Sequence, residues 1–279
     1  MLMGFTELCG KSGMDSTTGL VLYPPPARKY PADRPPGSAA SRLDDPAGTR
    51  RIILVELMHT AHVPAGPGPF PTIVALHGFG ASAHDLLGIA PHIQQGEVLF
   101  ICPQGPMMIE SAPGQRAYGW FPLSQAGEIE PASLVGARGL LEGFIEDAME
   151  RYPIDPDRLV LLGFSQGGVM AYDLALGRPE RFSALVALSS WLPDAVVSGL
   201  KDDEARSSLA TLLIHGTNDP MVAIDNAKEA REKLEELGVE AAWGEYEMGH
   251  EINQNALRDL IGWLAQGPFA GTDAGTAIG

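Results

Sequence analysis

The sequence is short of cysteine, of long apolar runs and of positive charge, and each shortage excludes a class of protein. Its two cysteines, Cys9 and Cys102, cannot build a disulfide framework, and Cys102 ends an apolar run typical of a buried strand. No apolar run reaches the ~20 residues of a transmembrane helix, and Met1–Gly10 lacks the charged start and apolar core of a secretory signal. We therefore expect a cytoplasmic protein without a membrane span.

The charge balance is equally one-sided. Against 19 Lys and Arg residues stand 35 Asp and Glu residues, which gives a formal net charge of −16. This excess argues against nucleic acid and anionic membrane surfaces as partners, because both repel a strongly acidic protein.

The 279 residues contain one stretch with the composition of a globular core, between two ends of different character. Residues 24–50 hold seven prolines and few large apolar side chains, a composition that favours flexible backbone. We expect an N-terminal extension over residues 1–50, in which Leu20–Tyr23 could add an edge strand. A single domain should follow over residues 51–266, and a flexible Gly/Ala/Thr tail over residues 267–279.

Within this domain, short apolar runs alternate with helical patterns. Apolar residues at three- and four-residue spacing predict a helix from Leu134 to Tyr152, and a charge-rich helix is expected over about Val222–Leu237. The alternation predicts an α/β fold with a mostly parallel central sheet and helices on both faces. The predicted strands are Arg51–Met58, Thr72–Leu76, Val98–Cys102, Leu159–Leu162, Ala184–Ser189, Leu209–Ile214 and Ala241–Glu247.

A candidate nucleophile lies where one of these strands meets a helix. Residues Gly163–Gly167 read Gly-Phe-Ser-Gln-Gly, after the turn-forming Asp155–Asp157 and the apolar run Leu159–Leu162. A serine hydroxyl needs such a sharp strand-to-helix turn to be exposed to a base, and the flanking glycines supply the room. The alternative is a glycine-rich turn whose serine, Ser165, only caps the helix.

A serine nucleophile also needs an acid and a base, which follow it in that order in α/β-hydrolases. Asp219 is the candidate acid, because it lies just beyond the strand Leu209–Ile214, at the edge where such sheets place ligands. Asp219 could also be a simple Asp-Pro turn former, and Asp225 or Asp194 could compete for its role.

His250 is the candidate base among seven histidines. It is C-terminal to the candidate acid and lies in a loop between a predicted strand and the last helix. His77 and His215 stand in His-Gly pairs at turn entries, where we expect them to hold loops by hydrogen bonds.

The tetrahedral intermediate of acyl transfer requires preorganised hydrogen-bond donors. One candidate is the backbone N–H of Gln166, directly after the serine, and the second is that of Phe79 within Leu76–Gly80. The glycines around Phe79 allow close approach of a substrate, although they would also suit an ordinary turn.

The long segment Gln104–Pro131 is the candidate element for shaping the substrate site, because long connections in compact domains are often lids or binding loops. Its Tyr118, Trp120 and Phe121, together with Trp191, could wall an apolar acyl pocket. Apolar loop residues can equally just hold a loop against the core.

These motifs resemble the phospholipase/carboxylesterase branch of the α/β-hydrolases, which includes bacterial carboxylesterases and acyl-protein thioesterases. The resemblance extends over about residues 50–266. It rests on Leu76–Gly80, Gly163–Gly167, His215–Pro220 and Gly249–His250, and on intervening stretches at Asp85–Pro91, Cys102–Pro106 and Trp120–Leu123. One position departs from the family pattern, because Thr217 stands where the family has a further acidic residue.

The resemblance implies a serine hydrolase in which Ser165 is the nucleophile, His250 the base, Asp219 the acid, and the Phe79 and Gln166 amides the oxyanion donors. We expect cleavage of small-molecule carboxylic esters of short to medium acyl chain, without a cofactor or metal. An acyl-protein thioesterase or lysophospholipase is the alternative, and a non-catalytic binding module a more distant one. Whether the chain forms a homodimer stays open.

Overall fold

The computed structural model describes residues 57–112, 115–124 and 129–271, together with the backbone of three short strands at 21–22, 41–43 and 51–53. Most of the predicted N-terminal extension and the end of the predicted tail lie outside the described residues. In the part of the chain that is described, no helix is long and apolar enough to cross a membrane.

Eight strands form the main sheet of the described structure, in the order β1-β4-β6-β5-β9-β10-β11-β12. Strands β6, β5 and β9 to β12 run parallel, whereas β4 pairs antiparallel with β6, and β1 pairs antiparallel with β4 at the edge. The predicted mostly parallel sheet is confirmed. The strands are β1 Val21–Leu22, β2 Ser41–Leu43, β3 Arg51–Ile53, β4 His59–His62, β5 Phe70–Leu76, β6 Leu99–Pro103, β7 Met107–Ala112, β8 Gln115–Gly119, β9 Ile154–Phe164, β10 Ala184–Leu188, β11 Ala210–Gly216 and β12 Ala241–Tyr246.

Helices cover both faces of this sheet, as predicted. Alternate residues of each strand point to opposite faces, so the chain builds two apolar cores. One core lies beneath α1 and α2, and the other lies beneath α5 and a 3-10 segment at Leu87–Gly96. The helices are α1 Pro131–Arg151, α2 Gln166–Gly177, α3 Asp194–Val197, α4 Ile224–Glu236 and α5 Gln254–Gln266.

The predicted strand Arg51–Met58 does not enter the sheet as one element. Its first part, β3, pairs with β2 in a separate two-stranded ribbon. The strand beside β6 is β4, which begins at His59. Its sequence, His-Thr-Ala-His, lacks the apolar run that marks the other strands of this sheet, although its first three residues are buried.

Two further boundaries differ from prediction. Strand β9 begins at Ile154, ahead of the expected turn at Asp155–Asp157, and the pairing jumps from Ile154 to Leu159 opposite β5. At the other end, the chain stays packed beyond residue 266: Phe269 is fully buried, and its N–H donates to the carbonyl of Leu264 at 2.8 Å. The predicted start of the flexible tail at residue 267 is therefore wrong. The Gly/Ala/Thr-rich composition of this end does not indicate that its phenylalanine packs into the core.

The strand order fixes where a site can form. The chain leaves β5 toward β6 on one side and later returns to β9 on the other side of β5. Connections that diverge in this way open a crevice outside the carboxyl ends of the two strands, where open α/β sheets bind ligands. The residues directly after β5 and β9 are His77–Phe79 and Ser165.

Candidate active site

Ser165 occupies a strained turn between β9 and α2. Its backbone has φ 53° and ψ −120°, a conformation that a residue with a side chain rarely adopts. The turn is so tight that a Cβ on Gly163 would collide with the backbone of Gly167, and one on Gly167 with the carbonyl of Leu76. The two glycines are therefore required by close backbone approach.

Neighbouring strands hold this turn in place. The Ser165 N–H donates to the carbonyl of Leu188 at 2.9 Å, which extends the β9–β10 pairing to the serine. The Ser165 carbonyl accepts the N–H of Gly168 at 2.9 Å and the hydroxyl of Ser190 at 2.8 Å. These bonds satisfy the backbone of the strained residue, so its side chain alone is left for chemistry.

Asp219 and His250 meet across two loops. The buried Oδ2 atom of Asp219 lies 2.7 Å from Nδ1 of His250, while Oδ1 accepts the N–H groups of Met221 and Val222 at 2.8 and 2.9 Å. The Asp219 side chain has no exposed surface, whereas that of His250 is 19% exposed. Both carboxylate oxygens are thus hydrogen-bonded, and part of the imidazole remains exposed.

The two rival acids are placed elsewhere. The side chains of Asp225 and Asp194 are both 90% exposed. Asp225 faces Lys228 at 3.8 Å, and Asp194 pairs with Lys233 at 2.6 Å. Of the three carboxylates that the sequence leaves open, Asp219 is the one bonded to His250.

Backbone pairing beyond the ends of β11 and β12 brings these loops together. The N–H of Thr217 donates to the carbonyl of Tyr246 at 2.8 Å, and that of Asn218 to the carbonyl of Met248 at 3.1 Å. A Cβ on Gly216 would collide with the carbonyl of Met248, so the approach depends on this glycine. Thr217, where the family carries an acid, contributes its backbone and a hydroxyl bond to Tyr246 at 3.3 Å.

His250 also lies beside the serine turn, because its ring centroid is 4.8 Å from that of Phe164, the residue before Ser165. Two other histidines hold loops, as predicted. His77 accepts the N–H of Gly105 on Nε2 at 2.9 Å, and His215 donates from Nε2 to the carbonyl of Val222 at 2.9 Å. Burial lowers the pKa of both rings below the ordinary value, so both stay neutral.

The candidate oxyanion loop follows β5. Gly80 adopts φ 80°, a left-handed conformation suited to glycine, and its N–H donates to the carbonyl of Tyr118 at 2.8 Å. The side chain of Phe79 is 46% exposed at the rim of the site. This loop is tied to strand β8 by the Tyr118 N–H, which donates to the carbonyl of Ala81 at 2.9 Å.

A network of buried polar groups links this loop to the serine turn. The side-chain oxygen of Gln166 accepts the N–H of Trp120 at 2.8 Å, and its amide nitrogen donates to the carbonyl of Phe121 at 2.6 Å. The indole N–H of Trp120 donates to the carbonyl of His77 at 2.8 Å. We call these four residues the Gln166 clamp. Sequence reasoning assigned Gln166 only a backbone donor and missed the side-chain role, because its partners are distant in the chain.

The four aromatic residues proposed for the acyl pocket differ in how deeply they are buried. Trp120 and Phe121 are 2% and 1% exposed and belong to the core, so they cannot wall an open pocket. Tyr118 and Trp191 are only partly buried. The predicted lid segment contains the hairpin of β7 and β8. Trp120 and Phe121 therefore hold their loop against the core, which is the alternative role that the sequence leaves open for apolar loop residues.

A cavity of about 490 Å³ opens beside the serine turn. None of the four aromatic residues proposed from the sequence lines it. Among the described residues, no three His, Cys, Asp or Glu side chains form a group that could hold a metal ion. The lining residues are His77, Gly78, Ala81, Ser82, His84, Asp85, Leu86, Gly88, Phe164, Glu251 and Ile252.

Comparison with known proteins shows which proteins this chain resembles. The phospholipase/carboxylesterase family matches residues 63–266. An acyl-protein thioesterase 1 of Gibberella zeae is 28% identical over 217 residues, which cover 72% of this chain and 92% of that protein. The crystal structure of esterase PE8 matches 76% of this chain and 99% of its own, with a TM-score of 0.64 and 26% identity. A Bacillus cereus carboxylesterase shares the fold at a TM-score of 0.65 and 19% identity, over 75% of this chain and 94% of its own.

The chain belongs to the phospholipase/carboxylesterase family. Its fold is that of the α/β-hydrolases, and it is a carboxylesterase-type hydrolase.

Proposed function

We propose that this enzyme hydrolyses carboxylic esters of short to medium acyl chain through an acyl-enzyme formed on Ser165. One observation carries the proposal: the buried carboxylate of Asp219 is bonded at 2.7 Å to His250, whose ring lies against the serine turn. A carboxylate that holds an imidazole beside a serine on a strained turn is the arrangement that acyl transfer requires.

In the first half-reaction, the Ser165 hydroxyl attacks the ester carbonyl carbon while His250 accepts its proton at Nε2. The tetrahedral intermediate collapses, the bond from carbon to the leaving oxygen breaks, and His250 returns the proton to that oxygen. In the second half-reaction, water attacks the acyl-enzyme with His250 again as the base. The acid is released, and Ser165 regains its proton.

Asp219 acts through His250. Its Oδ2 accepts the Nδ1 proton, so the lone pair of the imidazole lies on Nε2, and its negative charge stabilises the imidazolium that forms during each step. The bonds from Met221 and Val222 to Oδ1 keep the carboxylate from rotating.

The backbone N–H groups of Phe79 and Gln166 are the proposed donors to the oxyanion. Both follow the carboxyl ends of adjacent parallel strands, β5 and β9, and the Gln166 clamp ties the two loops together. Preorganised donors of this kind need no rearrangement when charge develops, and each is worth about 10²–10³ in kcat.

The acyl chain is proposed to lie against Tyr118 and Trp191, with Trp120 and Phe121 supporting the site from behind. Phe79 and Met108 add exposed apolar surface, at 46% and 63% exposure. Bulky side chains leave little room for a long acyl chain, which supports the preference for short to medium esters.

A second candidate is an acyl-protein thioesterase, favoured by the names of similar proteins in Gibberella zeae and Emericella nidulans. The same residues could cleave a thioester, since only the leaving atom differs. We place either enzyme in the cytoplasm, because a free, buried Cys102 and few cysteines suit a reducing compartment.

The nucleophile is tested by Ser165→Ala. The variant should fold normally and lose nearly all turnover, keeping at most the ~10³–10⁴-fold advantage over water that binding and oxyanion donors supply. A fluorophosphonate should label the wild type at Ser165 and leave the variant unlabelled. Labelling that survives the substitution would contradict the assignment, and an enzyme that hydrolyses no ester or thioester would favour a binding module.

Substrate class is tested with p-nitrophenyl esters of graded chain length beside an acyl thioester panel. We expect kcat/KM to peak at short to medium acyl esters. A profile that peaks at palmitoyl thioesters would put the thioesterase first.

A further inference from the structure

The cavity of about 490 Å³ is lined by sequence neighbours of Ser165 and His250, although neither of these two residues lines it. Phe164, which precedes the nucleophile and contacts the His250 ring, forms part of its wall, and so do Glu251 and Ile252, the two residues after His250. The opposite wall belongs to the loop after β5, between His77 and Gly88. The cavity is thus linked to His250 through Phe164 and is bounded by the loop after β5.

Its lining combines buried apolar side chains with two carboxylates, beside Ser82, His77, His84 and two glycines. Ala81, Leu86, Phe164 and Ile252 are buried apolar residues, at 7%, 4%, 6% and 8% exposure. Two carboxylates, Asp85 and Glu251, also line the cavity, and no Lys or Arg does.

Asp85 is held in a fixed position. Its Oδ2 atom accepts the N–H of Ser82 at 2.7 Å and the hydroxyl of Ser82 at 2.5 Å. Its carboxylate therefore has a fixed orientation in the wall. Glu251 is exposed and adds a second, movable negative charge on the opposite side.

We propose that this cavity receives the leaving group of the substrate and selects esters of cationic alcohols over neutral and, above all, anionic ones. This inference rests on the proposed function. The base must return a proton to the leaving oxygen, so the leaving group departs past His250, toward the wall formed by Glu251 and Ile252. The apolar side chains accept the carbon skeleton, and the two carboxylates attract a positive charge upon it.

Electrostatics sets the size of the effect. At an effective dielectric constant of about 40–80, the attraction between a unit positive charge and one carboxylate about 6 Å away corresponds to a preference of about three- to tenfold per carboxylate. Screening by salt should weaken that preference.

The first test keeps the acyl group constant and varies only the alcohol charge. Butyrylcholine and 3,3-dimethylbutyl butyrate are isosteric and differ by one positive charge, and a carboxylate-bearing alcohol supplies the anionic case. For the full chain at low ionic strength, we expect kcat/KM to be at least about three- to tenfold higher for the choline ester than for its neutral counterpart, and lowest for the anion.

Glu251→Gln should reduce the cationic-to-neutral ratio by at least about twofold, since it removes one of the two charges. Glu247→Gln is the matched control, because it removes an equal charge from an exposed position in the same loop that does not line the cavity. A ratio at or below one in the wild type would overturn the proposal, as would an equal change in both variants.

The second test asks which half of the substrate occupies the cavity. Ala81→Leu narrows it and should lower kcat/KM for esters of bulky alcohols more than for methyl esters of the same acid. Deacylation, which is common to all esters of one acid, should keep its rate. A variant that instead changes acyl chain-length dependence would assign the cavity to the acyl group and overturn the proposal.

These outcomes are distinguishable from failure of the proposed function. Fluorophosphonate labelling of Ser165 with a flat alcohol profile would reject the leaving-group cavity alone. Ester hydrolysis without Ser165 labelling would reject the mechanism on which it rests. Should Ala81→Leu fail to fold, the surface substitution Glu251→Gln still decides the charge preference.

Discussion

At the residue scale, Asp219 divides its two carboxylate oxygens between two tasks. Oδ1 is fixed by backbone donors from its own loop, and Oδ2 alone faces His250. His215 approaches Oδ2 to 3.6 Å but donates to the carbonyl of Val222 instead. The carboxylate therefore has one imidazole to orient, and its burial keeps water from competing for that bond.

Replacing Asp219 by Asn keeps the shape but reverses the preferred tautomer of His250, because the amide can donate to Nδ1. We expect a loss of about 10³–10⁴ in kcat with little change in KM, as for a residue that acts in the transition state. Steady-state kinetics on a short-chain ester measure both constants. Asp225→Asn and Asp194→Asn are the controls, and either proving more damaging than Asp219→Asn would reject the assignment of the acid.

Trp120 illustrates how a pocket residue and a support residue differ. Its side chain is 2% exposed and bonded to the carbonyl of His77, so Trp120→Ala should destabilise the fold by about 3–5 kcal/mol. Activity should fall for all acyl lengths together. Tyr118→Ala, at a partly exposed position, should instead change the ranking of acyl lengths. Denaturant unfolding and the p-nitrophenyl ester series separate the two effects.

At the scale of elements, the site depends on four loops that meet at one edge of the sheet. The loops after β5 and β9 supply the proposed donors and nucleophile, and those after β11 and β12 supply the proposed acid and base. The Gln166 clamp fastens the first pair to the base of the β7–β8 hairpin. A rigid connection of this kind keeps both proposed oxyanion donors at a constant separation.

Gln166→Met tests the clamp while it leaves the backbone donor of residue 166 in place. The substitution strips buried partners from the N–H of Trp120 and the carbonyl of Phe121, each loss costing about 1–3 kcal/mol of stability. We expect lower kcat with KM nearly constant, since the proposed oxyanion donors act mainly on the transition state. Unchanged kcat in a destabilised variant would mean that the clamp serves only the fold.

At the scale of the whole molecule, buried histidines tie stability to pH. Burial lowers the pKa of His59, His77 and His215 in the folded state, whereas all three titrate normally when unfolded. The unfolded chain therefore binds more protons below about pH 6.5, the ordinary histidine value. The free energy of unfolding is therefore unaffected by these histidines above that pH. It decreases as the pH falls from that value toward the lowered pKa values of the folded state.

We expect the free energy of unfolding to decrease between pH 7 and pH 5, by up to about 1.4 kcal/mol per pH unit for each histidine that is fully linked. Urea unfolding at several pH values at constant ionic strength measures the slope. His59→Gln, away from the proposed catalytic residues, should reduce it. A variant with the wild-type slope would show that His59 is not part of the linkage.

Activity should have its own dependence on pH, which stability does not explain. Protonation of His250 would remove the proposed base, so kcat/KM should decline on the acid side even where the enzyme remains folded. Circular dichroism at the same pH values separates the two causes. Full activity of folded enzyme at a pH where histidine is protonated would contradict the role of His250.

The sequence by itself determined the order and character of the main elements. Two of the strands, Leu159–Leu162 and Thr72–Leu76, are almost entirely apolar. Because both of their faces are covered, nearly every residue in them has to be apolar, and this is visible in the sequence. The strained serine turn was equally visible, since Gly163 and Gly167 are required by backbone contacts a few residues away. Constraints between residues close in the chain are visible in the sequence, and these features could be predicted from it.

Only the tertiary structure decided what depends on distant contacts. The bond between His250 and Asp219, the burial of Trp120 and Phe121, and the clamp made by Gln166 join residues tens of positions apart. Phe269 lies in a Gly/Ala-rich end yet is fully buried. An aromatic residue looks the same in the sequence whether it lines a pocket or packs in the core, and only the fold determines which of the two it does.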